Sequence, residues 1–89
     1  MTPEEKQERK SAFNQRIAER IIHLRKQAGM NQAQLADRAG IGRTHLTRIE
    51  SGAYEVTGWV LQAIAEAMDM TVDVIDPRLQ NLDPLRPLT

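Results

Sequence analysis

The sequence predicts an all-α fold, a bundle of four to five short helices, and three observations carry that prediction. Apolar residues recur at spacings of three and four in four separate stretches, which is the period of one buried helix face. Glycines stand just after three of these stretches, at Gly29, Gly40 and Gly52, where helices end. The segments between the stretches are only a few residues long, as in compact helical units. Hydrophobic residues make up 40% of the 89, but Phe13, Tyr54 and Trp59 are the only aromatics, so the core must be aliphatic.

Thr2-Pro3-Glu4-Glu5 reads as a helix start, with a hydroxyl cap, proline at the first helical position and a glutamate three residues after the cap. Residues 4–10 carry no apolar stripe; they either extend the next helix or form a separate polar arm, and residues 1–12 are set apart on that ground. From Phe13 a stripe begins, with Ile17, Ile21, Leu24 and Ala28, and Gly29 closes it. A short second helix runs from about Gln32 to Ala39, capped by Asn31, burying Leu35 and Ala36 and stopped by Gly40. A third runs from Arg43 to Ser51, burying Leu46 and Ile49. Thr57 caps a fourth, with Val60, Leu61, Ile64, Ala65 and Met68 on one face. Residues 13–69 thus form one helical domain.

Residues 70–89 differ. Thr71-Val72-Asp73-Val74-Ile75-Asp76 is β-branched and partly alternating, which favours a strand over a further helical turn. A lone strand needs a partner for its backbone groups, so Val72, Val74 and Ile75 are expected at a dimer interface, pairing with the same segment of a second chain. Leu79, Leu82, Leu85 and Leu88 then recur every third residue beside Pro84 and Pro87, a polyproline-like tail with one apolar edge, expected to pack on this chain or its dimer mate.

From Arg25 to Glu50, helix two, a glycine-containing turn and helix three have the lengths of a helix-turn-helix, in which the second helix of the motif enters the DNA major groove. The stretches Gly29-Met30-Asn31-Gln32-Ala33-Gln34-Leu35-Ala36, Ala39-Gly40-Ile41 and Ile49-Glu50-Ser51-Gly52 resemble the lambda-repressor/Cro-like (XRE-type) family in order and spacing, over roughly residues 13–69. The resemblance implies a lambda-repressor-like bundle, and implies roles for matching residues. Gln32 corresponds to a glutamine that reaches a DNA phosphate at a helix N-terminus. Arg25 and Glu50 correspond to an arginine and a glutamate that pair between helices one and three, a structural role. The exposed face of helix three, Arg43, Thr44, Thr47 and Arg48 with His45 beside them, is where base contacts are expected, since arginine forks onto guanine and a threonine methyl can meet a thymine methyl.

Two departures from the family stand out. Gly52-Ala53-Tyr54-Glu55-Val56 has no basic residue where relatives place phosphate-holding lysines and arginines. Gly58-Trp59 stands where relatives place a large apolar residue, and Trp59 is expected in packing or at a dimer interface. The VDVID composition looks more like the β-ending members of the family, among them HipB-like antitoxins.

These features imply a dimeric, sequence-specific transcriptional regulator acting as a repressor on double-stranded DNA; the alternative is an antitoxin that also binds a toxin protein. Enzymatic readings find no support: His23 and His45 lie on different elements, there is no cysteine, and no glycine-rich phosphate loop or nucleophile motif is present. No catalytic residue, metal or cofactor is therefore expected. The absence of cysteine, of a signal peptide and of an apolar run of the ~18–20 residues that span a bilayer points to a cytoplasmic protein without membrane contact. The formal net charge of zero hides a polarity. Residues 1–52 hold ten Lys/Arg and six Asp/Glu, a net of +4, while residues 53–89 hold two and six, a net of −4. The basic half contains the helix-turn-helix.

Overall fold

The computed structural model describes residues 1–76: four α-helices and a terminal 3-10 turn. Helix α1 spans Pro3–Gln27 without interruption. Its first turn is closed by the capping box, with the Glu5 amide donating to Thr2 Oγ1 at 3.2 Å and the Thr2 amide donating to Glu5 Oε2 at 3.4 Å. Residues 3–12 are thus a solvated extension of α1, about three turns long. Ile17, Ala18, Ile21 and Leu24 are the residues α1 buries, and Phe13 is half-buried. Ala28, expected on that face, is the exposed C-cap, because the helix ends one residue before it.

Helix α2 (Gln32–Ala39), α3 (Arg43–Glu50) and α4 (Gly58–Ala67) follow. Helix α2 packs against both α3 and α4, and α1 packs against α3. Leu35 and Ala36 of α2, Leu46 and Ile49 of α3, and Val60, Leu61, Ile64, Ala65 and Met68 of and just after α4 close one aliphatic core with α1. No aromatic residue is buried in it; Phe13 packs at its edge. Thr57 stands at the N-cap of α4, but its side chain makes no capping hydrogen bond, so backbone geometry alone starts that helix.

The strand expected at 71–76 is not formed. Val72–Val74 is a 3-10 turn, closed by Val74 N donating to Thr71 O at 3.2 Å and Ile75 N donating to Val72 O at 3.0 Å. The physical reason is Ile75, which is 0% exposed in this chain's own core, with Val72 and Val74 packed half-buried beside it. Burying Ile75 is worth about 1.5–3 kcal/mol, and an extended segment would carry it away from the bundle. The segment is therefore one more helical turn packed on α4, and Ile75 is a core residue rather than an interface residue. The Leu/Pro tail lies outside the described residues.

Trp59 is 67% exposed and Tyr54 39% exposed, so Trp59 does not pack within this chain's core. Among the described residues, no helix is long and apolar enough to cross a membrane, and no group of three or more His, Asp or Glu is placed to hold a metal ion.

Candidate nucleic-acid interface

Local chemistry sets α2 and α3 at their angle. Asn31 caps α2 through a second capping box, its Oδ1 accepting from the Gln34 amide at 2.8 Å while Gln34 Oε1 accepts from the Asn31 amide at 2.9 Å. Gly40 ends α2 with φ +72°, a conformation that costs side-chain-bearing residues strain. The reversed chain is held by Ile41 N donating to Ala36 O at 3.0 Å, which leaves Gly42 extended as the N-cap of α3.

Helix α3 is eight residues long and amphipathic in the strict sense. At about 100° per residue, Leu46, Ile49 and Glu50 fall on one side and Arg43, Thr47, Thr44 and Arg48 on the other, in that angular order. The structure matches: the first three are buried, the other four exposed. His45 stands at the border, half-buried, its ring edge-on to Tyr54 with centroids 5.4 Å apart and planes at 82°. That contact faces the loop after α3 and takes His45 out of the four-residue exposed face.

Behind α3 runs a side-chain chain of hydrogen bonds. Arg25 of α1 forks onto Glu50, Nε donating to Oε2 at 2.9 Å and Nη2 to Oε1 at 3.0 Å, and its Nη1 donates to the Met30 carbonyl at 2.9 Å. The side chains are 11% and 4% exposed, so both charges are nearly out of water. Glu50 Oε1 also accepts from Gln32 Nε2 at 3.0 Å, and Gln32 Oε1 accepts from the Thr47 hydroxyl at 3.1 Å. Four side chains on three helices are thereby joined. Buried charges need this kind of complete pairing, and no buried side-chain nitrogen or oxygen is left without a partner among the described residues.

The structure thus brings Arg25, Glu50, Gln32 and Thr47 into one network and sets Arg43, Thr44 and Arg48 on open surface next to it. Gln32, half-buried at the first turn of α2, uses both ends of its amide on protein partners, while one of its two Nε2 hydrogens stays outside these bonds. The link from Gln32 to Glu50 and Thr47 was not read from the sequence. A partial signal exists, since Thr47 and Glu50 are helical neighbours three residues apart; nothing local says that residue 32 arrives between them.

The loop after α3 lies close to α1. Gly52, at φ +79°, is buried, and a Cβ there would sit 2.0 Å from Gln15 Oε1 and 3.3 Å from Gln15 Cα. Glu55, where a basic residue would serve phosphate, instead pairs with Lys10 at 3.3 Å.

The comparisons agree with this architecture. A family model described as helix-turn-helix matches residues 21–75. An immunity repressor protein of Bacillus phage phi105 is 34% identical over 59 residues, a match covering 66% of this chain and 41% of the repressor. The chain therefore spans about two fifths of the length of the curated relative it matches. With more than half of its residues inside the family model, and with the two-helix unit and its buried Arg25–Glu50 fork in place, the chain belongs to the lambda-repressor/Cro-like (XRE-type) helix-turn-helix family.

Proposed function

We propose that the chain is a sequence-specific DNA-binding transcriptional regulator that occupies an operator as a repressor, with α3 in the major groove. The observation that carries this is the division of α3, a buried side locked to α1 and α2 and an exposed side offering Arg43, Thr44 and Arg48. Arg43 and Arg48 fork onto guanine O6 and N7, and the Thr44 methyl rests on a thymine methyl. Gln32 donates its remaining amide hydrogen to a phosphate, which positions the domain without reading sequence. A phage immunity repressor is similar over this same region, which supports repression as the outcome.

The functional unit on DNA is a homodimer, two copies of α3 meeting half-sites one helical turn, roughly 34 Å, apart. The solvent-facing Trp59 is a surface suited to a second copy. The repressor reading is preferred to an antitoxin because a phage immunity repressor is similar to this chain, and because residues 72–74 form a 3-10 turn and not the strand that suggested a likeness to β-ending antitoxins. The site is non-catalytic in this reading and needs no cofactor.

The test is selection of bound duplexes from random DNA at two salt concentrations, with solution mass measured in parallel. Affinity for the selected duplex should fall with salt, with a log–log slope of about −0.9 per phosphate contact neutralised. A titration with neither salt dependence nor sequence preference overturns the reading.

A further inference from the structure

On the exposed face of α3, Thr47 lies angularly between Arg43 and Thr44, where a base-reading residue is expected. Its hydroxyl is otherwise occupied. It stands 3.1 Å from Gln32 Oε1 and 3.0 Å from the Arg43 carbonyl oxygen, and a hydroxyl has one proton to divide between those acceptors. The bond to the carbonyl four residues back is one that threonine can make in any helix. The bond to Gln32 is particular to this fold, because it bridges α3 to the first turn of α2.

The geometry points to Thr47 as a positioning residue, not a base reader: it orients the Gln32 amide for phosphate from one end while Glu50 holds it from the other. An ionised carboxylate only accepts, so Glu50 Oε1, already taking Arg25 Nη2, requires the amide nitrogen of Gln32 on its side. The amide oxygen is then turned toward α3, where Thr47 supplies the donor. With both ends held, the second Nε2 hydrogen has one direction, and the group that meets phosphate is tied through two side chains to the helix that meets bases. Arg43, Thr44 and Arg48 remain as the reading set. This inference rests on the DNA-binding reading above and assigns Thr47 within it.

Two variants of Thr47 separate the roles. Thr47→Val keeps a methyl and loses the hydroxyl, while Thr47→Ser keeps the hydroxyl and loses the methyl. The probes are the selected duplex and a shuffled duplex of the same composition. A positioning role predicts that Thr47→Val weakens binding to both by about fivefold, the equivalent of one net hydrogen bond, and that Thr47→Ser stays within about twofold of wild type. It also predicts that Thr47→Val combined with Gln32→Ala is no weaker than Gln32→Ala alone, since coupled residues are not additive. Without DNA, the Gln32 side-chain amide resonances should shift in Thr47→Val and remain in place in Thr47→Ser. If Thr47→Ser loses discrimination at one base pair while Thr47→Val keeps it, or if the losses add, Thr47 reads bases and the proposal is overturned. Unmoved Gln32 resonances in Thr47→Val overturn the link itself. A wild-type chain that binds neither duplex while Thr47→Val still moves those resonances overturns the DNA reading on which the assignment rests.

Discussion

Arg20, in the last third of α1, donates from Nε to the carbonyl oxygen of Val74 at 2.9 Å, a contact made across 54 residues of sequence. It ties the terminal 3-10 turn to the first helix and holds Ile75 in the core. What reads locally as a separable extension is therefore part of the bundle.

Cutting that extension away should cost the fold, not merely an interface. Ile75→Ala should destabilise by about 2–5 kcal/mol, the usual cost of truncating a buried isoleucine, and a chain ending at residue 70 should lose cooperative unfolding. Thermal and urea denaturation followed by circular dichroism measure both. An Ile75→Ala protein as stable as wild type but altered in mass would return this residue to an interface.

Glu50→Ala leaves Arg25 nearly dry, with its guanidinium fork unmatched and the amide of Gln32 short of an acceptor. Loss of about 3–5 kcal/mol is expected from stranding a buried charge. Because α1, α2 and α3 meet there, DNA binding should disappear together with the fold. A denaturation midpoint close to wild type would show the pair to be dispensable.

Three glycines have positive φ, but they should not respond alike to alanine. Gly29 and Gly40 have open space where a Cβ would go, so substitution costs only the left-handed backbone, about 1–2 kcal/mol. Gly52→Ala also sets the new Cβ 3.3 Å from the Gln15 backbone Cα, a tight approach, while the exposed Gln15 side chain, whose Oε1 lies 2.0 Å away, has to swing aside. It should be the most destabilising of the three, and Gln15→Ala, which leaves that Cα in place, should restore little of the difference. Equal midpoints for Gly40→Ala and Gly52→Ala would remove the close approach of the loop to α1 as a factor.

Arg43→Ala should leave stability within about 0.5 kcal/mol, as for an exposed side chain away from any network, and relax discrimination at one base pair by about 1–3 kcal/mol. Glu55→Lys breaks the exposed pair with Lys10, itself worth at most about 1 kcal/mol, and places a positive charge in the loop after α3. Its expected effect is tighter binding to all sequences with a steeper salt slope, read by anisotropy titration at several salt concentrations. No change in slope would place the loop away from phosphate.

Much of the fold was legible in the residues because it is written in local terms. The bounds of α2 follow from Asn31 and Gly40, and the buried faces of α2, α3 and α4 from apolar spacing, since capping and periodicity act within a turn or two. The extension of α1 through residues 3–12 was open, because a polar stretch with a good cap suits a helix and an arm equally. At 71–76 local preference pointed the wrong way: β-branched composition favoured a strand, and the 0% exposure of Ile75 outweighed it.

For the candidate site the division is similar. Sequence alone determined the two-helix unit and its polar face with Arg43 and Arg48, because each depends on neighbours three or four residues away, and the basic half that carries them, because charge is a sum over composition. Only the tertiary structure decided that Gln32 lies between Glu50 and Thr47, that His45 turns to Tyr54, and that Arg20 meets Val74. These contacts join residues 9 to 54 positions apart, and which donor finds which acceptor is settled by how the helices pack, after the aliphatic core has closed.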